Sequence, residues 1–209
     1  MELLNKLQWR YATKRFDKNR KLNSEQVNNL LQAANLAPSS FGLQPFAIVM
    51  VDDEKIKEKL SPAGFNQPQI TEASHLFIFA VRTDLSDKDV DEFVERIVKT
   101  RDIVKEDIAD YEKTMKSSIN KRTPEQRFNW AARQAYISLG FLLSAAAMQD
   151  IDACPMEGFS NERFDEILGL KEKGFSSVAM AAAGYRSPDD AYQQNRKVRK
   201  SLDEFVIQP

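Results

Sequence analysis

"TPEQRFNWAARQAYISLGFLLSAAAMQ", residues 123–149, decides the fold. Thr123 can accept a free amide of the first turn, Pro124 fits that turn, and Gln126 stands three residues after the cap. The pattern predicts a helix running to about Gln149. Its second half, "AYISLGFLLSAAAM" (135–148), is apolar all round, the pattern of a helix buried in the centre of a protein. The uncharged run Gln134–Gln149 is shorter than the roughly 20 apolar residues of a membrane span. Protein, not lipid, is expected to cover it.

The covering elements lie on both sides in the chain. "FAIVMV" (46–51), "HLFIFAVR" (75–82) and "FSSVAMAAAGYR" (175–186) are apolar runs that read as buried strands. Helices are predicted over 2–9, 52–60 and 161–168, and over 24–36, where Asn23 caps, Gln26 follows, and Val27, Leu30, Leu31 and Ala34 keep helical spacing. Residues 86–121 read as charged helix, broken near Lys105, with Val90, Phe93, Val94, Ile97 and Val98 on one stripe and Ile108, Tyr111 and Met115 continuing the apolar face. "APSSFGLQP" (37–45) is a loop, and "DACPMEGF" (152–159) a turn region after a short extended segment. No repeat or linker interrupts the chain, so residues 1–209 are expected to form a single layered α/β or α+β domain.

Composition narrows the function. Thirty basic against 31 acidic residues leave a net charge of −1, which gives no field for nucleic acid or an anionic membrane. The N-terminus has no secretory apolar core, so a cytoplasmic protein is expected. One histidine (His75) and one cysteine (Cys154) exclude Cys/His zinc sites and an internal disulfide. Both read as packed residues. No glycine pair fits G-x-G, and "GLKEKGFS" (169–176) has Phe175 where a P-loop needs lysine. If this chain is an enzyme, a bound cofactor is expected to carry the chemistry, and no metal site is expected.

Taken singly, the remaining motifs read as structure: "RYATKRF" (10–16) as solvated cations, "PMEGF" as a turn, "NRKVRK" (195–200) as a basic tail. Their order is more informative. R-x-[STA]-x-[KR]-x-F at 10–16, A-P-S-S-x-x-x-Q-P at 37–45, "FNQPQITEASHLFIFA" at 65–80, P-x-E-G-F at 155–159, G-L-K-E-K-G-[FY] at 169–175 and K-x-R at 197–199 together resemble the FMN-dependent nitroreductases. The likeness spans almost the whole chain. It is strongest to oxygen-insensitive bacterial NAD(P)H nitroreductases and the dihydropteridine reductases related to them.

The resemblance implies an α+β three-layer sandwich around a mainly antiparallel sheet. It implies a homodimer with FMN at the subunit interface, helix 124–149 in the dimer core, and a C-terminal strand near Phe205–Ile207 exchanged with the partner. Arg10 and Lys14 match flavin-binding positions, with the backbone of Tyr11 and Ala12 contributing. Lys197 and Arg199 match the pair that holds the flavin phosphate, suiting its near-double negative charge. Pro38, Ser39 and Ser40 match the loop reaching the flavin from the other subunit. Asn66 matches an asparagine on the pyrimidine edge. Pro155, Met156, Glu157 and Gly158 match the segment facing the hydride-accepting nitrogen, which places Glu157 near hydride transfer. Gly42 and Gln69 also match cofactor-binding positions. Ala12 replaces a common serine, Phe41-Gly42 a more polar pair, and Gln69 a common flavin-contacting lysine; these departures bear on substrate preference more than on flavin binding. The implied activity is ping-pong, two-electron transfer from NADH or NADPH through FMN to a small-molecule oxidant such as a nitroaromatic or quinone, with no catalytic side chain. Dihydropteridine or enone reduction on the same fold, and a flavin-binding regulator without turnover, are the alternatives.

Overall fold

A computed structural model describes residues 1–208; Pro209, the last residue of the expected domain, lies outside them. The elements run α1 (Glu2–Trp9), α2 (Ser24–Asn35), β1 (Phe46–Val51), α3 (Glu54–Ala63), α4 (Pro68–Glu72), β2 (His75–Arg82), α5 (Asp87–Arg101), α6 (Ala109–Asn120), α7 (Pro124–Met148), β3 (Asp152–Met156), α8 (Asn161–Leu168), β4 (Phe175–Gly184) and α9 (Leu202–Phe205). The strands form one antiparallel sheet in the order β1-β2-β4-β3.

The sheet's pleat divides the core. Phe77, Phe79 and Val81 of β2, with Ala179, Ala181 and Ala183 of β4, pack on Val27 and Leu30 of α2 and on Ala131, Ala135, Leu139 and Leu142 of α7. Alternate residues Leu76, Ile78, Met180 and Ala182 face the opposite side, against Leu60 of α3, Ile70 of α4 and Phe164 of α8. These are the three layers, and each fully buried Phe or Leu adds roughly 1.5–3 kcal/mol. The alanines of β4 let α7 lie close to the sheet. A third cluster, Leu85, Val90, Val94, Met115, Ile119 and Trp130, joins α5 and α6 to the start of α7.

Local chemistry sets the ends of the helices. Thr123 and Gln126 form the expected capping box of α7, Thr123 Oγ1 accepting from the Gln126 amide at 3.2 Å while Gln126 Oε1 accepts from the Thr123 amide at 3.0 Å. Asn23 and Gln26 do the same for α2. The break before Lys105 is made by Asp102, left-handed at φ 52°, followed by a short 3₁₀ turn.

Three features differ from the expectations. Residues 152–156 form a fourth strand; Asp152 and Pro155 hide its pattern, and Pro155 is tolerated because β3 is H-bonded as a full strand only to β4. A short helix, α4, follows Pro68 in a stretch with no periodic signal. Helix α7 is not covered on every side: Tyr136, Ile137, Phe141 and Met148 are 37–42% exposed along one face. In this chain Phe205 ends the helical turn α9 and Val206 is extended; the expected strand exchange involves a second chain.

Gly184 closes β4 under the N-terminal segment. A Cβ there would stand 3.0 Å from the Ser74 amide nitrogen and 3.2 Å from Phe16 Cδ1, both held by packing. Gly184→Ala is therefore expected to cost about 1–3 kcal/mol, read as a lower urea midpoint with unchanged slope. A wild-type midpoint would show that this contact yields freely.

Candidate functional site

Residues 10–17 leave α1 and run along the sheet edge. Ala12 bridges in parallel to Ala153 of β3, and Phe16 bridges antiparallel to Arg186 beyond β4. The amide of Asp17 donates to the Tyr185 carbonyl at 2.8 Å, and that of Ser187 to the Arg15 carbonyl at 2.9 Å. The segment behaves as an irregular extra edge strand, and three carboxylates hold it. Glu72 accepts from the Arg15 guanidinium at 2.8–3.1 Å and from the Phe16 amide at 3.2 Å. Asp152 accepts from Arg186, whose guanidinium lies 4.4 Å from the Trp9 ring centre and 4.7 Å from that of Tyr11.

Asp190 is the third, and it is fully buried. Its Oδ2 accepts from the Tyr11 hydroxyl at 2.9 Å and from the amides of Lys14 at 2.8 Å and Arg15 at 3.2 Å; its Oδ1 accepts from the Tyr192 amide at 3.0 Å. One carboxylate thus ties the start of the chain to the turn leading into 195–199. Burial pushes its acidity towards a higher pKa, but the amides of Lys14, Tyr192 and Arg15 and the Tyr11 hydroxyl outweigh this and hold it below the ordinary carboxylate value. The same contacts act on Tyr11: burial, then Asp190, raises its pKa well above the usual phenol range.

The tie brings cations together. Arg10, Tyr11, Ala12, Lys14, Pro155, Lys197 and Arg199 line one cleft of about 550 Å³, whose lining contains no carboxylate. Lys197 Nζ donates to the Arg10 carbonyl. Burial pushes both Arg10 and Lys197 below their ordinary pKa values, and Arg199 adds to the effect on each. For Arg10, Cys154 and Asp152 pull the other way. Arg10 Nε is buried without a hydrogen-bond partner. Buried polar groups are ordinarily paired, so mutually repelling cations around an orphaned donor fit an anionic ligand.

The other residues singled out from the sequence divide into two groups. Gln69 is buried beside the cleft, its Nε2 and Lys14 Nζ each 3.9 Å from Cys154 Sγ. Burial raises the Cys154 pKa, as for a packed thiol. Asn66 is exposed and left-handed at φ 54°, in a loop held to the 155–158 segment by Gln67, whose Nε2 donates to the Gly158 carbonyl at 2.6 Å. Pro155, Glu157 and Gly158 are exposed, but Met156 is buried in the core. Glu157 accepts from the Tyr136 hydroxyl at 2.7 Å; burial and this contact push the Tyr136 pKa up to about 12.

The second group is Pro38, Ser39, Ser40 and Gly42, none of which lines the cation cleft. Their loop is pinned elsewhere: Gln134 Oε1 of α7 accepts from the Ser40 amide at 2.9 Å, and the Phe41 carbonyl accepts from Tyr111 of α6 at 2.8 Å. Phe41 is left-handed at φ 61°. Sustaining that strain at a non-glycine residue needs such over-determination. Asp190, Glu72, Asp152, Arg186 and Tyr136 carried no sequence signal as site residues, because their partners are distant in the chain.

The nitroreductase family model matches residues 7–185. A candidate NAD(P)H nitroreductase of Staphylococcus epidermidis is 32% identical over 98% of this chain and 95% of its own length. The crystal structure of a candidate nitroreductase from Bacillus subtilis superposes with a TM-score of 0.89 at 24% identity, covering 100% of this chain and 99% of that one. A candidate nitroreductase from Exiguobacterium sibiricum, solved in complex with FMN, gives a TM-score of 0.85 at 19% identity, covering 100% and 98%. Among the described residues no helix is long and apolar enough to cross a membrane, and no group of His, Cys, Asp and Glu could hold a metal ion.

Asp190→Ala leaves the Tyr11 hydroxyl and three amides without their acceptor. A loss of about 3 kcal/mol is expected, from buried donors left unpaired. Because the folded pKa of Asp190 is depressed, its contribution is present above the unfolded carboxylate pKa and is lost as pH falls through the folded value. Chemical denaturation of wild type and Asp190→Asn at neutral and acid pH should therefore show the stability gap narrowing in acid; a gap constant with pH would exclude the ionised carboxylate.

Proposed function

The chain belongs to the nitroreductase family of oxidoreductases, and from that premise we propose that it is an FMN-dependent NAD(P)H oxidoreductase working as a homodimer. The supporting observation is the cation cleft: Arg10, Lys14, Lys197 and Arg199 around the orphaned Arg10 Nε fit a ligand carrying a phosphate. Lys197 and Arg199 would hold that phosphate, Arg10 and Lys14 the adjoining polar edge, and Asn66 and Gln69 the pyrimidine side. Pro155, Glu157 and Gly158 would border the ring. The residues fit the group. When bound, FMN supplies a ring that takes up and gives out a hydride; the chain binds it, orients it and shields one side. No protein nucleophile or base is required, which agrees with one histidine packed against Ser74 and one cysteine buried in the core.

The dimer reading rests on two features. Loop 38–42 stands away from the cleft of its own chain, so a second copy would bring Pro38, Ser39, Ser40 and Gly42 to it. The uncovered face of α7 and the exposed side chains Leu202, Phe205, Val206 and Ile207 provide apolar surface for that contact. The tail would then lie against the partner, and residues 1–209 would act as one FMN-binding domain. The oxidant is of the nitroaromatic or quinone class, and the site of action is the cytoplasm.

Lys197→Ala/Arg199→Ala is expected to lose FMN affinity by at least tenfold, since each charge-assisted bond contributes about 1.5–3 kcal/mol, while the denaturation midpoint of the protein without flavin stays close to wild type. Equilibrium flavin titration gives the answer, and undiminished affinity would remove both residues from the site. The reaction itself is tested by steady-state oxidation of NADH and NADPH with menadione or a nitroarene. One cleft serving reductant and oxidant in turn predicts parallel double-reciprocal lines, whereas intersecting lines would mean that both bind at once.

A further inference from the structure

A second groove is larger than the cation cleft. It lies between α6 and the first turns of α7, has a volume of about 890 Å³, and is lined by Lys113, Lys121, Arg122 and Arg133 with no acidic residue. Among the described residues none of these four cations enters an ion pair. The contrast with Lys116 on the same helix is sharp: it sits between Asp91 and Glu112 at 2.5 and 2.6 Å. Two aromatic side chains complete the groove. Trp130 is nearly buried with the Arg122 guanidinium 5.4 Å from its ring centre, and Phe41 stands at the rim, its ring edge-on to Tyr111. Arg122 is itself held by Ser118, whose hydroxyl accepts at 2.8 Å.

We propose that this groove binds the 2′-phosphorylated adenosine end of NADPH, so that the enzyme selects NADPH over NADH. Four unpaired cations exceed what a pyrophosphate requires, whereas an additional 2′-phosphate adds nearly two negative charges. Phe41, half-buried at the groove, offers a ring for adenine, and the Arg122 guanidinium, which covers the buried Trp130, is of the kind that stacks against a planar base. Position supports the same assignment. Phe41 lies within the loop carrying Ser39, Ser40 and Gly42, so a dinucleotide whose nicotinamide meets the flavin beside that loop has its other end within reach of the groove. This last step rests on the proposed function, in which the loop borders the partner's flavin; the charge and aromatic content of the groove do not.

The test separates the two. Isothermal titration calorimetry of the purified dimer with adenosine 2′,5′-bisphosphate and with 5′-AMP reads the groove whether or not FMN is present. Wild type should bind the bisphosphate the more tightly. Lys113→Ala/Lys121→Ala, at two exposed positions, should weaken it roughly tenfold and change 5′-AMP binding by less than about twofold. Arg133→Gln, altering a different element, should act in the same direction. Stopped-flow flavin reduction should then show the NADPH preference falling in both variants at unchanged FMN content. Equal affinity of wild type for the two adenosine ligands, or an undiminished preference for the bisphosphate in both folded variants, would overturn the proposal. A colourless protein that takes up no FMN yet binds the bisphosphate in this pattern would instead overturn the flavin reading and retain the groove.

Discussion

The site depends on one buried carboxylate. Asp190 accepts four hydrogen bonds, three from residues 11–15 and one from Tyr192. Without it, the N-terminal segment and the segment from 195 to 199 would be joined through the contact of Lys197 Nζ with the Arg10 carbonyl, against the repulsion of their like charges. Burial, and then neighbouring charge, already depresses the proton affinity of Arg10 and Lys197 in the folded chain: Arg199 acts on both, and Arg10 on Lys197. Fixing repelling groups in advance leaves an incoming anion with little reorganisation to drive, which is how preorganised sites gain affinity. The stability supplied by Asp190 and the electrostatic strain stored in the cleft are two sides of the same arrangement.

The sheet determines why the arrangement sits where it does. Strand β3 is an edge, and an uncovered edge invites pairing with other chains. Residues 10–16 cover it, bridging at Ala12 and Ala153, and so place Arg10 and Lys14 next to Pro155. Loop 38–42 is fixed on other supports, by Gln134 of α7 and Tyr111 of α6. A single chain therefore holds the two separate sets of residues proposed for the site on rigid elements. The apolar face left open on α7 lies on the same helix that anchors the loop, so an association through that face would fix the loop's position as well.

Sequence revealed whatever depended on neighbours in the chain. The strands at 46–51, 75–82 and 175–184 declared themselves as apolar runs, and the caps at Asn23 and Thr123 by residue type and spacing. Strand β3 escaped because an edge strand needs only one good partner and can contain Asp152 and Pro155. The pattern of 135–148 follows the same logic: it reports that a surface avoids water, whether its own chain or another covers it, and in this chain one face stays open. The cations at 10, 14, 197 and 199 were legible as members of motifs. What brings them together was not, since Asp190 sits in a polar stretch with no pattern of its own.

Charge balance shows why composition alone was a poor guide to ligands. A net charge of −1 excludes a long-range field, yet it says nothing about local sorting of charge. Within "RYATKRF" the fates diverge: Arg15 is neutralised by a bidentate contact to Glu72, while Arg10 and Lys14, four residues apart, face the cleft. On α6 and at its C-terminal cap the same division separates Lys116, locked between two carboxylates, from Lys113 and Lys121, which meet none among the described residues. A cation paired inside the protein has met its anion at folding and exerts little attraction on a ligand. Those left unpaired are collected into concave surfaces without acids, and on them rests the proposal that the protein recognises phosphates. Their placement follows from which carboxylates the fold has already committed.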